Sequence, residues 1–226
     1  MDRSDSLNIS LFDADRRDNA FLMPWPVPGN PGAILPFCHF DEWQTFLEAR
    51  RLHPAIPEIV ESKFRRAQKL YLLAWIDFGL VKAGELVALT ALELALKDRY
   101  GGFFTQQDMR NPNKQNHSDR APSLAQLLEH MVEKDGLTDE SLAFTKLCGG
   151  SVVSLLYESK AARNLARKNG MPKAITLAGI RNSLAHGDPF DGLPWSGLLE
   201  LIRDLIEYAY RSYLLELEHA QRADGN

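Results

Sequence analysis

The sequence predicts an all-α fold, most simply an up-and-down bundle of four long helices with short helices inserted. Apolar residues recur at helical spacing in several long segments, no segment shows alternation bounded by turns, and no 20–50-residue repeat is visible. At roughly 150 residues per domain, a chain of 226 residues suits one core with one appendage. We therefore divide it into an irregular N-terminal arm, 1–40, and one helical domain, 41–226.

The arm is rich in proline. Four prolines fall within 24–31, and each fixes φ and lacks an N–H donor, so regular helix is excluded there. The arm also carries the apolar residues Phe12, Phe21, Trp25, Ile34 and Phe37. Because disordered tails are usually poor in aromatic residues, we expect an extended segment that packs on the main body or on a partner.

The helices are predicted from their apolar spacing and their end signals. Pro57 is a typical first-turn residue before a helix at about 59–75. The central helix, about 80–100, is expected to end at Gly101, before a long polar loop. The remaining helices are predicted at about 123–134, 139–147, 152–168, 172–186 and 194–221.

Charge and cysteine content limit the class of function. The 26 Lys and Arg against 30 Asp and Glu give a net charge of −4, so any RNA contact must come from a local patch. Cys38 and Cys148 lie far apart without a Cys/His cluster, which predicts reduced thiols. With no signal-peptide pattern and no apolar stretch near 20 residues, we expect a soluble, cytoplasmic protein without membrane contact.

Common catalytic motifs are absent. The sequence has no G-x-G-x-x-G, G-x-x-x-x-G-K-[ST], G-x-S-x-G or H-E-x-x-H, so dinucleotide, P-loop, hydrolase-elbow and zincin sites lack their residues. A di-iron bundle needs two Glu-x-x-His pairs, and only Glu216 with His219 has that spacing. We therefore expect no metal and no cofactor.

The segment 179–188, GIRNSLAHGD, carries the most distinctive chemistry. Arg181 is a permanent cation that can hold a phosphate through paired hydrogen bonds. His186 titrates near neutrality and can transfer protons. Metal-free RNA cleavage needs both roles, because the 2′-hydroxyl loses a proton, the phosphoryl oxygens gain charge and the departing 5′-oxygen takes up a proton. The structural alternative is a helix-end histidine and a salt-bridged arginine.

Helical geometry separates these two side chains. At about 100° per residue, Arg181 and His186 lie about 140° apart, whereas Asn182 and His186 share a face. One helix therefore does not bring the pair together, and a site with two histidines requires two copies of the helix at a two-fold axis. The ribonuclease hypothesis thus predicts a homodimer.

Glu93 is the second notable residue. It belongs to a run with 3,4,3,4 spacing, Leu86, Leu89, Glu93, Leu96 and Tyr100. This spacing places a carboxylate in an apolar seam, where it needs a cation. The alternative is a surface ion pair with Lys97 at i+4. The sequence leaves both interpretations open.

A basic stretch surrounds the Arg/His segment. Residues 159–187 include six basic side chains and no acidic one, which gives a local field suited to RNA. The candidate RNA-binding residues are Lys160, Arg163, Arg167, Lys168 and Lys173. The alternative is a solvated helix face that the acidic final helix balances.

Two segments resemble the HEPN superfamily (higher eukaryotes and prokaryotes nucleotide-binding domain). Residues 181–186, RNSLAH, are similar to its Arg-(polar)-x-x-x-His motif, and 89–101 are similar to its upstream glutamate-bearing helix. With the order of elements, the resemblance covers about 57–220. It implies an all-α domain with Arg181 and His186 as catalytic residues, Asn182 as their polar support and Glu93 as the partner that orients Arg181.

The resemblance also implies an activity. It is that of a metal-independent endoribonuclease in which the 2′-hydroxyl attacks at a dimer-interface site and leaves a cyclic phosphate. A toxin–antitoxin or defence role would go with it, the partners being RNA and a cognate antitoxin or another protein. The alternative is a non-catalytic HEPN-type module that binds a nucleotide, RNA or a protein and dimerises. A third interpretation is a structural helical adaptor that docks through its arm.

Overall fold

The computed structural model describes residues 16–109, 121–172, 174–187 and 192–224. The chain is predominantly helical, with one two-stranded sheet in these ranges. In chain order the elements are β1 (Arg16–Pro24), β2 (Ile34–His39), α1 (Phe40–Glu48), α2 (Glu58–Leu73), α3 (Leu80–Met109), α4 (Leu124–Glu133), a 3-10 helix (Asp139–Ser141), α5 (Ala143–Cys148), α6 (Val153–Leu156), α7 (Lys160–Lys168), α8 (Leu177–Ala185) and α9 (Leu198–Asp224). None of the described helices combines the length and the apolar character that a membrane crossing needs.

The N-terminal segment forms a β-hairpin, so the prediction of an irregular arm is wrong for 16–39, and the fold is not purely α. Strands β1 and β2 pair antiparallel, and in β1 the buried Phe21 and Met23 alternate with the exposed Leu22 and the partly buried Pro24. This period of two is typical of a strand with one buried face. Pro24 is tolerated because both strands of a two-stranded sheet are edge strands.

The hairpin packs into the same hydrophobic core as the helices. The Phe21 ring lies against Trp43 and Trp75, with centroid distances of 5.2 and 5.7 Å. The indole Nε1 of Trp25 donates to Glu200 of α9 at 2.8 Å. The expectation that the apolar residues pack on the main body is confirmed for Phe21, Trp25 and Phe37. It is wrong for Ile34, which is exposed, and Phe12 lies outside the described residues.

Helix α3 is the centre of the fold and packs against α2, α4, α8 and α9. It approaches α2 closely at Gly84, where an added Cβ would lie 2.6 Å from the Tyr71 ring. The predicted end of this helix at Gly101 is wrong, since α3 continues to Met109. The extra turns pack Phe103 and Phe104 against His130 of α4, at centroid distances of 4.4 and 5.6 Å. Most of the predicted polar loop, 110–120, lies outside the described residues.

Side-chain caps correct two other helix predictions. The segment 152–168 contains two helices, α6 and α7. The second begins after Ser159, because the Ser159 hydroxyl accepts the N–H of Ala162 at 3.1 Å and caps the first turn of α7. Likewise α8 begins after Thr176 and not at Pro172, because Thr176 is its N-cap. The predictions at 59–75, 123–134 and 194–221 correspond to α2, α4 and α9, and 139–147 corresponds to the 3-10 helix with α5.

Candidate active site

Helix α8 carries the Arg/His segment and lies against α3, α4 and α6. Its buried face includes Ile180 and Leu184, while Arg181 lies at the boundary with solvent. His186 follows as the C-cap residue and is exposed. Gly187 then ends the helix with a φ of +89°, a left-handed conformation that glycine adopts without a Cβ penalty. The helix end therefore presents the imidazole to solvent.

Arg181 contacts Glu93 of α3. The guanidinium Nη2 lies 3.0 Å from Oε2 of Glu93, and Nη1 donates to Oδ1 of Asn182 at 3.3 Å. The other Glu93 oxygen, Oε1, accepts from Nζ of Lys97 at 2.7 Å. Glu93 thus makes both contacts that the sequence left open, the ion pair with a distant cation and the pair at i+4.

The Arg181 guanidinium retains hydrogen-bonding capacity. Glu93 and Asn182 engage two of its five N–H groups. Its Nε is buried and has no hydrogen-bond partner among the described residues. A buried donor without a partner costs about 1–3 kcal/mol and calls for an explanation. With 30% of the side chain exposed, the remaining N–H groups of the terminal nitrogens are available to an anion such as a phosphate.

Within one chain, Arg181 and His186 lie on different faces of α8. The helical turn extends to His186, whose N–H donates to the carbonyls of Asn182 and Ser183 at 3.0 and 3.2 Å. The angle of about 140° that helical periodicity gives therefore applies to this pair. The structure brings Glu93, Arg181 and Asn182 together, and none of the described contacts joins the His186 imidazole to the Arg181–Glu93 pair.

A cleft of about 780 Å³ runs beside α8. Gly179, Asn182 and Ser183 line it, and His186 lies on the same stripe of the helix because it follows these residues by seven, four and three positions. The other walls come from the start of α3 and the segment 192–195, which contributes Trp195. Sequence analysis placed Trp195 in the predicted helix at 194–221 and missed its place in the cleft, because α9 begins only at Leu198.

The predicted RNA-binding cations lie mainly on α7. Arg163, Arg167 and Lys168 are exposed, as is every residue of 161–168 except one partly buried alanine. Lys160 begins α7, but its side chain lies outside the described part of the chain, and so does all of Lys173. Helix α7 therefore presents a basic surface to solvent.

Ionisable groups elsewhere do not form a metal centre in the described ranges. No group of three or more His, Cys, Asp or Glu side chains there is arranged to hold a metal ion. Cys38 is exposed, Cys148 is partly buried, and neither is in a disulfide. Burial, with the nearby Glu200 and Asp204 carboxylates, raises the pKa of the Cys148 thiol.

Comparison with known proteins found no match to a family model, to a curated protein or to a solved structure. The resemblance to the HEPN superfamily therefore depends on the residues of the two segments and on the order of elements in the sequence.

Proposed function

We propose that this protein is a metal-independent endoribonuclease of HEPN type that acts as a homodimer. The observation that carries the proposal is the ion pair between Glu93 and Arg181, at 3.0 Å. Each belongs to one of the two segments that resemble the family, and the two segments are far apart in the sequence. The proposal takes the long helices α2, α3 and α9, together with the nine-residue α8, as the four helices of an up-and-down bundle.

In the proposed mechanism Arg181 binds the scissile phosphate through charge-assisted hydrogen bonds. His186 takes the proton of the 2′-hydroxyl, the 2′-oxygen attacks phosphorus, and the bond from phosphorus to the 5′-oxygen breaks. The partner subunit's His186 gives a proton to the departing 5′-oxygen. The products are a 2′,3′-cyclic phosphate and a 5′-hydroxyl. Each positioned acid or base contributes about 10²- to 10⁴-fold in rate.

The other predicted residues support this chemistry. Glu93 and Asn182 orient the guanidinium by the contacts described above. The basic surface of α7 guides RNA toward the site. Lys160 and Lys173 are included in this surface on the basis of the sequence alone. A toxin or defence role, an antitoxin partner and a cytoplasmic location belong to the proposal as the resemblance implies them.

A non-catalytic module that binds RNA or a protein is the second candidate. The surface of α7 favours it, because Leu165 is exposed one helical turn from Lys168, and Met171 just beyond the helix is exposed as well. Apolar side chains among cations are typical of a recognition surface. This candidate predicts RNA or protein binding without cleavage.

The test is cleavage of labelled RNA by the purified full chain in EDTA. We expect the wild type to cleave, and His186→Ala and Arg181→Ala each to lose at least about 100-fold in rate. The matched control is His219→Ala, which removes an exposed histidine of α9 and leaves cleavage unchanged. Circular dichroism checks that the variants are folded.

Two outcomes would contradict the proposal. If the wild type binds RNA without cleaving it and Arg181→Ala weakens that binding, the non-catalytic module is the better account. If cleavage survives both His186→Ala and Arg181→Ala, the active site lies elsewhere.

A further inference from the structure

Trp195 differs from the other three tryptophans of the chain. Trp25, Trp43 and Trp75 are at most 3% exposed, whereas Trp195 is 38% exposed and lines the cleft beside α8. The indole is the largest apolar side chain, and the other three tryptophans show that this fold can bury it. Its exposure inside a concave surface points to a ligand with a flat apolar face.

A buried ion pair fixes the wall that carries Trp195. Nζ of Lys82 donates to the Leu193 carbonyl at 2.7 Å and lies 3.1 Å from Oε2 of Glu85. Oε1 of Glu85 accepts the backbone N–H of Trp195 at 2.5 Å. These contacts join residues 111 and 110 positions apart. Because the desolvation of two charges costs several kcal/mol, a pair bound to this backbone indicates a wall that is formed before a ligand arrives.

The wall of the cleft formed by α8 carries polar groups that can form hydrogen bonds with the edge of a base. The Asn182 amide has donors and an acceptor, and the hydroxyls of Ser183 and Thr176 both donate and accept; all three residues line the cleft. Exposed apolar side chains, Ile175 and Leu193, complete the lining. A planar heterocycle with hydrogen-bonding edges fits this combination.

The position of the cleft connects it with the proposed chemistry. Asn182 and His186 are four residues apart on one stripe of α8, which is about 6 Å along the helix axis. A nucleotide whose 2′-hydroxyl lies at His186 can therefore place its base in the cleft that Asn182 and Trp195 line.

We propose that this cleft binds a nucleobase of the RNA at the cleavage site, stacked on Trp195 and hydrogen-bonded by Asn182 and Ser183. The inference rests on the proposed function and deepens it. It makes the cleft the element that selects the base and gives Asn182 a contact with substrate in addition to its contact with Arg181.

The test uses nucleoside 3′-monophosphates of the four bases, with the intact chain in EDTA. Since the other three tryptophans are buried, we expect saturable quenching of tryptophan fluorescence, strongest with one base. By calorimetry Trp195→Ala weakens binding about 5- to 150-fold, Trp195→Phe restores most of it, and Asn182→Ala reduces the preference among bases. Leu215→Ala, an exposed apolar residue of α9, serves as the control without effect.

The outcomes distinguish a failure of base binding in the cleft from a failure of the proposed ribonuclease activity. Binding that persists in His186→Ala while cleavage is lost supports both proposals. RNA cleavage with no quenching by any nucleotide, or with equal rates in the wild type and Trp195→Ala, overturns the cleft and retains the nuclease. Quenching by inorganic phosphate alone, to the same extent, would show an anion site without base recognition and overturn the inference.

Discussion

Helix α3 carries two glutamates, Glu85 and Glu93, whose ion pairs have opposite surroundings. The ion pair of Glu85 with Lys82 is buried, since the Glu85 side chain is 0% exposed and the Lys82 side chain is 9% exposed. The ion pair of Glu93 with Arg181 lies at the surface, since the Glu93 side chain is 15% exposed and the Arg181 side chain is 30% exposed. Nζ of Lys82 contacts the Leu193 carbonyl and Glu85, whereas Arg181 keeps N–H groups that can bind an anion. Exposure of the cation thus separates an ion pair that fixes the fold from one that can bind a ligand.

The largest effect on stability is expected for Glu85→Ala. This change leaves the Lys82 ammonium buried without its carboxylate, which costs about 3–5 kcal/mol of unfolding free energy. Glu93→Ala leaves a cation that water can reach and costs about 1 kcal/mol or less. Denaturant titration of both variants measures the difference, and equal losses would contradict the comparison.

The pH dependence of stability should also separate the two carboxylates. Burial raises the pKa of Glu85 to about 7, against the opposing charge of Lys82. Burial and the charge of Glu85 also raise the pKa of the Tyr71 hydroxyl. The folded state binds the proton of the Glu85 carboxyl more tightly than the unfolded chain does, so protonation of Glu85 stabilises the fold. This contribution to the unfolding free energy is complete below about pH 4.5 and is lost as the pH rises through 7.

Glu85→Gln has no such proton. At about 1.4 kcal/mol per pH unit, we expect the wild type to lose up to about 3 kcal/mol relative to Glu85→Gln between pH 4.5 and 7. Unfolding free energies of the two proteins across this range provide the measurement. A difference that does not change with pH would argue against the raised pKa.

Glu93→Gln is expected to have the smallest effect on stability and to act through catalysis. The amide keeps an acceptor but not the charge, so Arg181 is held less firmly and RNA cleavage falls about 10- to 100-fold, while unfolding free energy changes by about 1 kcal/mol or less. Lys97→Ala is the matched control, because it removes the other partner of Glu93 and should leave kcat near that of the wild type. Equal activity of Glu93→Gln and wild type would remove Glu93 from the site.

Local signals in the sequence were sufficient for the helices whose ends they mark. Pro57 precedes α2, as predicted, and the helix predicted at about 123–134 corresponds to α4, which Ser123 caps in the structure. The hairpin was missed because the prolines between 24 and 31 outweighed the alternation of Phe21, Met23 and Trp25. The continuation of α3 was missed because contacts with His130, in another helix, favour it.

The candidate site was predictable only in part. Residues in the two resembling segments gave Glu93, Arg181, Asn182 and His186, and the structure places the first three in contact. Trp195 could not be predicted, because its exposure depends on a cleft whose wall is fixed by side chains of α3 more than 100 positions away.

The most direct test of the account is the chemistry of the RNA ends that the wild type produces in EDTA. Attack by the 2′-hydroxyl predicts fragments with a 2′,3′-cyclic phosphate and a 5′-hydroxyl, formed by the wild type and His219→Ala and not by His186→Ala. Fragments with a 3′-hydroxyl and a 5′-phosphate, or cyclic ends that His186→Ala also produces, would contradict it.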